Sequence, residues 1–234
     1  IDDNATSTAI TIDASENVGI GTASPTLPLD IVSNASADAL KLRARSGNDY
    51  ATMTFSSNDG ATKWADIQSN VAKDLRFFTN GSSETMRIDS AGIVTKPYQP
   101  AFLAQPATTI LNIPTGASGN LNFDAERFDT NSDYSSGTFT APVTGKYFLT
   151  VNFYFINLDS AASYYEGLLT TSNRTYYTIV DPDFGQDNVY FCLVLTVLAD
   201  MDAGDTANIS VHQSGGSSQT DISASATFSG YLVA

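Results

Sequence analysis

One cysteine in 234 residues, Cys192, excludes an intrachain disulfide and any cystine-stapled scaffold. It sits in "VYFCLVLTVL", apolar on both sides and lacking the exposed, electropositive setting of a reactive thiol, so it reads as a buried structural residue. One histidine, His212, gives a Ser/His/Asp arrangement a single base and no supporting motif, and reads as a surface or rim residue. Cations are scarce, with 11 Lys and Arg against 25 Asp and Glu and a net charge of −14. Beyond residue 100 three basic side chains face thirteen acidic ones, so a phosphate backbone is repelled and nucleic acid is excluded as a partner. The longest apolar run, Val189 to Leu198, is half of the ~20 residues a membrane helix needs, so no membrane insertion is expected.

Sustained helical periodicity is also missing. Val, Ile, Thr, Phe and Tyr dominate short runs broken by Gly, Asn, Asp and Ser, the pattern of an all-β chain. Strands are expected at 40–45, where Leu40, Leu42 and Ala44 alternate with Lys41, Arg43 and Arg45, and at 50–55, 63–68, 75–79 and 84–88. After "KPYQP" aromatic density rises and strands lengthen, at 101–104, 109–113, 121–128, 137–141, 145–156, 164–170, 175–180, 189–198, 207–213 and 224–233. These divide the chain into a connector with the end of a preceding module (1–35), a small antiparallel β module (36–97) and a ten-stranded sandwich or jelly roll (98–234). "ITIDASENV" (10–18) echoes "MRIDSAGIV" (86–94) at an offset of 76, as if each closed one of a series of modules. The first residue is Ile1, with no basic leader, and the chain reads as a fragment of something longer.

Two strands break the usual alternation of apolar and polar faces. In "GKYFLTVNFYFI" Tyr147, Leu149, Val151, Phe153 and Phe155 share one face, and Phe148, Thr150, Asn152, Tyr154 and Ile156 the other; "VYFCLVLTVL" is likewise apolar on both. Exposing either outward set would forfeit on the order of 5 to 10 kcal/mol, comparable with a whole domain's stability. No amphipathic helix is available as a lid, so another copy of the chain is the expected cover. The interface candidates are Tyr147, Phe148, Tyr154, Ile156, Tyr190, Val194 and Leu198.

"FDTNSDYSSGTFTAPVTGKYFLTVNFYF" (128–155), "LADMDAGDTANISV" (198–211) and "ATFSGYLVA" (226–234) resemble, in order and spacing, three signatures of the globular head of complement's q subcomponent, of the tumour necrosis factor-like superfamily. The resemblance covers 101–234 and implies a ten-stranded jelly roll assembled as a homotrimer. Gly137, Phe139, Pro142, Gly145, Gly204, Asp205, Phe228 and Gly230 then become turn and core positions. No Gly-X-Y collagen stalk precedes them. Instead "ITIDASENVGIGTASPTLPLDI" and "FFTNGSSETMRIDSAGIV" resemble the tandem modules of bacteriophage tail fibres, which implies a trimeric shaft with a host-recognition tip, located on the virion and extracellular, with upstream fibre or tail proteins as partners.

No catalytic residue is assigned. Asp181, Asp183 and Asp187 in "DPDFGQDN" and Asp200, Asp202 and Asp205 in "DMDAGD" could in principle pair for glycoside cleavage, but Pro182, Gly185 and Gly204 mark both as turns, where solvated Asp is routine. The first three are candidate calcium ligands, although no cofactor is required. For ligand contact the candidates are Tyr164, Tyr165, Glu166, Arg174, Tyr176 and Tyr177, flat rings beside charged groups that suit a sugar. The expectation is therefore a trimeric fibre tip that binds a bacterial cell-surface glycan or outer-membrane protein without enzymatic action. The alternatives are a secreted complement-like or tumour-necrosis-factor-like ligand of a protein receptor, and a glycan-depolymerising tailspike.

Overall fold

Short β-branched and aromatic runs become strands where Gly, Asn or Asp supplies the turn between them, and in the computed structural model they do so along most of the described chain. Residues 9–33, 38–44, 46–47, 49–117 and 119–234 are described, and none of them is helical. They form two units, Ile1–Thr95 and Lys96–Ala234.

In the first unit β1 (Ile10–Ile12) and β2 (Val18–Ile20) form a hairpin, and β3 (Leu29–Ile31) joins β2 in parallel. A separate antiparallel meander follows: β4 (Ala51–Ser56), β5 (Lys63–Ser69), β6 (Leu75–Thr79), β7 (Ser83–Ile88) and β8 (Val94–Thr95). Register lines up Met53, Ile67, Phe77 and Met86 on one face of this sheet, beside Phe55 and Leu75. The other face is polar, with rows Thr52, Gln68, Arg76, Arg87 and Thr54, Asp66, Phe78, Glu84. Among the described residues of this unit nothing covers the apolar face, and Phe55 is 47% exposed.

The sequence echo has a physical basis. Asp13 Oδ1 accepts hydrogen bonds from the backbone N–H of Ser15 and Asn17, and Asp89 Oδ1 accepts them from Ala91 and Ile93, the positions 76 residues on. In both turns the fourth residue, Glu16 or Gly92, adopts positive φ and donates its N–H back to the aspartate carbonyl. The two strings thus build one hairpin turn capped by one aspartate.

The expected strand at 40–45 does not form: residues 40–44 are irregular, with Leu40 and Leu42 exposed, and Arg45 lies outside the described residues. Alternation makes a strand only where an edge pairs with it, and the sheet ends at β4. Residues 1–8 of the expected connector and 34–37 also lie outside the description.

The second unit is a two-sheet sandwich. Its strands are β9 (Ala101–Gln105), β10 (Gly116–Ala117), β11 (Ala125–Asp129), β12 (Tyr134–Ser135), β13 (Thr138–Thr140), β14 (Gly145–Leu158), β15 (Ala162–Thr171), β16 (Thr175–Val180), β17 (Asn188–Met201), β18 (Thr206–Gly215), β19 (Asp221–Ile222) and β20 (Thr227–Leu232). One sheet runs β11-β9-β20-β14-β17 with β19 beside β14; the other runs β12-β13-β18-β15-β16 with β10 beside β18. Tyr147, Leu149, Val151, Phe153 and Phe155 of β14 meet Tyr165, Leu169, Ile209 and Val211 from the opposite sheet, all essentially inaccessible. Phe102 stacks on Tyr134 and Phe139 with ring centroids 5.0 and 4.8 Å away, and Phe228 meets it edge-on at 4.9 Å.

Two expected strands shrink. Of 109–113 only an isolated bridge between Ile110 and Ile222 remains, because Asn112 turns into the left-handed region. Of 121–128 only the end is strand, yet Leu121 and Phe123 are buried and the Leu121 N–H donates to the Ile209 carbonyl. Their alternation reflects burial along an extended loop.

Candidate functional site

Because β14 is flanked by β17 and β20, its outward side chains lie in rows. Phe148, Thr150, Asn152, Tyr154 and Ile156 pair across to Leu198, Thr196, Val194, Cys192 and Tyr190, and Tyr231 of β20 stands opposite Phe148. Tyr190, Val194 and Leu198 are 66, 58 and 60% exposed. Tyr154 packs edge-on to Tyr190 at 6.0 Å and Phe148 lies 5.4 Å from Tyr231, so the aromatic rings cluster without being covered. Within this surface Thr150 and Thr196 share a hydrogen bond of 2.9 Å, while Asn152 Oδ1 is shut off from water with no partner.

The interface candidates Phe148, Tyr154, Ile156, Tyr190, Val194 and Leu198 are therefore brought onto one surface. Tyr147 is not among them. It points into the core, fully buried, and donates its hydroxyl to the Val143 carbonyl at 2.7 Å. Cys192 also needs correction: it is exposed on this outward face, since strand parity places it with Tyr190 and Val194 rather than with buried Leu195.

The opposite sheet splits the ligand-contact candidates by the same parity. Tyr164, Glu166 and Tyr177 face outward, joined by Leu168, Ile179 and His212 through the β16-β15-β18 register. Glu166 Oε2 lies 3.1 Å from His212 Nδ1, and the Tyr164 ring meets the imidazole edge-on at 5.6 Å. Tyr165 faces inward, fully buried, with its hydroxyl bonded to Thr220 Oγ1 at 2.7 Å; burial holds its pKa above the ordinary tyrosine value. Tyr176 likewise packs against the core. Arg174 belongs to the turn after β15, its carbonyl accepting from the Thr171 N–H five residues or about 17 Å along the strand from Glu166, and is engaged by both oxygens of Asp200 at 2.9 and 3.0 Å. Leu168, Ile179 and His212 were legible in the sequence only through period-two counting across three paired strands.

The acidic turns are held by their own hydrogen bonds. Asp187 accepts from the Ser160 N–H and hydroxyl and from Gln219, which keep its carboxyl below the ordinary range, and Asp181 caps the Asp183 N–H. Asp205 Oδ2 accepts from Asn173 and from the Asp202 N–H, closing the turn where Gly204 has positive φ. Among the described residues no three His, Cys, Asp or Glu side chains converge as a metal site. Among the described residues there is no helix long and apolar enough to cross a membrane.

The residues of the three signatures occupy structural places. Phe139 and Phe228 are buried, and Pro142 sits exposed in the turn before β14. Gly137 has φ +79° with the Leu121 carbonyl 2.8 Å from where a Cβ would lie, and Gly145 opens β14.

No curated protein matches the chain. Among solved structures, the globular domain of zebrafish complement 1qA protein is 17% identical, with a TM-score of 0.43, and the match covers 58% of this chain and 98% of that one. Murine APRIL at pH 8.5 is 9% identical, also with a TM-score of 0.43, over 58% of this chain and 99% of its own. The profile of the family described as C1q domain matches residues 101–233, more than half of the chain. Domains of this class are typically binding domains without enzymatic activity, and they commonly form homotrimers. The chain belongs to the C1q domain family.

Proposed function

We propose that the protein is the distal part of a bacteriophage tail fibre, a homotrimer whose head binds a bacterial surface glycan by non-covalent, multivalent contact. One observation carries the reading: among the described residues each unit leaves an apolar sheet face without a cover of its own. In the head that face is Phe148, Tyr154, Tyr190, Val194 and Leu198; in the first unit it is Met53, Phe55, Leu75 and their row. The first unit has no fully buried large apolar side chain among its described residues, so its five-stranded sheet lacks a core of its own. Copies arranged around one axis cover both faces at once, and each large apolar side chain covered is worth about 1 to 2 kcal/mol at this partial exposure. Asn152 Oδ1, an unused acceptor inside the apolar surface, supports the same arrangement.

The repeated aspartate-capped turn at residues 13–17 and 89–93 supports a shaft built of successive modules. With three heads side by side, the outward patch of Tyr164, Glu166, Tyr177 and His212 recurs three times, and weak sugar contacts multiply through effective concentration. The full chain is expected to bind saturably to whole bacteria of a susceptible strain and to their extracted surface glycan, with or without a chelator. Tyr177→Ala, at an exposed position, is expected to weaken attachment about tenfold. Failure to attach to any strain or glycan preparation would overturn the reading, and shortening of the glycan by the protein would favour a depolymerase.

A further inference from the structure

On the outward face of the β12-β13-β18-β15-β16 sheet one formal charge stands alone. Among the described strand residues the outward positions carry Thr, Ser, Asn, Tyr, Leu and Ile, with Glu166 the single carboxylate, His212 beside it and no Lys or Arg. The three cations beyond residue 100 are placed elsewhere: Arg127 donates to Gln105, Arg174 holds Asp200, and Lys146 lies on β14 of the other sheet.

The Glu166 side chain is 24% exposed, reachable from solvent yet screened less than a fully wet carboxylate. An ionised carboxylate only accepts, so the His212 Nδ1–H donates to Oε2 at 3.1 Å, and with the imidazole uncharged this bond leaves the negative charge uncancelled. Oε1 accepts nothing from the described residues and, unlike Asn152 Oδ1, is not shut off from water. Apolar and aromatic groups surround it. Ile179 lies directly across on β16, Tyr164 and Leu168 are the next outward residues on β15, and Tyr177 is a diagonal neighbour at the usual separation of about 7 to 8 Å. Tyr177 is 64% exposed, so its ring is available for contact.

Charge narrows the ligand. An acidic sugar would meet Glu166 with no cation on the face to offset it. A divalent ion would find one carboxylate, and among the described residues no three His, Cys, Asp or Glu side chains converge to hold it. A protonated amine fits: it donates a charge-assisted hydrogen bond to Oε1 and is attracted to the tyrosine rings on either side. Carried on a pyranose, it leaves the C–H face of the ring to stack on Tyr177. We propose that this patch selects glycans bearing a free, protonated primary amine over neutral, N-acetylated or acidic ones. The proposal rests on the reading of the head as a glycan-binding tip and adds the class of sugar it takes.

The test titrates the full chain, by saturation-transfer NMR, with methyl 6-amino-6-deoxyglucopyranoside, its N-acetyl derivative and methyl glucopyranoside. At about pH 7.5 an alkylamine is protonated while an imidazole of ordinary pKa is neutral. The free amine should bind about tenfold more tightly than either neutral sugar, an advantage that shrinks with added salt. Glu166→Gln keeps the shape and one acceptor oxygen; it should erase the advantage and leave the neutral sugars within about twofold of the parent. Ile179→Lys, at an exposed position, sets an ammonium across from the carboxylate and should erase it too, which decides the matter if Glu166→Gln does not fold. N-acetyl-lysine amide should bind more weakly than the aminosugar. The proposal fails if the free amine does not bind or has no advantage, or if the advantage survives either variant. It fails equally if the lysine derivative binds as well, which would mark the patch as a reader of protein lysines. In each case attachment to whole bacteria, measured separately, decides whether the glycan reading itself stands.

Discussion

At Gly230 an added methyl group would lie 2.9 Å from the Phe148 carbonyl oxygen, 2.5 Å from Leu149 Cδ2 and 3.0 Å from the Phe102 ring. Backbone cannot yield as a side-chain tip can, so Gly230→Ala is expected to cost about 1 to 3 kcal/mol and lower the thermal midpoint by several degrees. Gly204→Ala makes a useful contrast: its methyl would meet open space, and the cost comes only from φ +92°, about 1 to 2 kcal/mol. Asp159 sets the acid limit of its turn. The Ser217 N–H and hydroxyl and the Ala161 N–H donate to its carboxylate and, against burial and the nearby Asp187, hold it below 3.8. A depressed carboxyl contributes stability above its unfolded value and loses it as pH falls through the folded one. Asp159→Asn should therefore cost about 1 to 3 kcal/mol at pH 7, and the gap from the parent should close below pH 3.8 in urea titrations.

At the level of the strand, β14 and β17 carry the argument. Their 13 paired positions hold two apolar faces in register, one at the centre of the sandwich and the other unpartnered. Cys192 lies on that second face and reports on it. In the assembled protein its thiol should react with a maleimide far more slowly than in Val194→Lys, which places a charge beside it and should separate the copies. Equal rates would show that the face is open to water.

Period-two counting recovered both faces of β14 and β17 from the sequence, because long strands in a two-sheet core repeat one instruction many times. It failed where burial and pairing part company. Leu40 and Leu42 alternate with no strand edge to receive them, and Leu121 and Phe123 alternate as an extended loop. It also could not separate Tyr164 from Tyr165, or show that Arg174 serves Asp200, since those depend on register between strands distant in sequence.

For the whole molecule, the sandwich has a complete core and an uncovered apolar surface, and the first unit has an apolar sheet face and, among its described residues, no fully buried large apolar side chain. Within its own unit neither surface is covered, and the threefold assembly proposed above would remove both from water. Sedimentation equilibrium of the full chain at micromolar concentration is the direct measurement. The account predicts a particle three times the 24.8 kDa mass of the chain, falling to the single mass in Val194→Lys. A parent protein that sediments stably at the single-chain mass would contradict it.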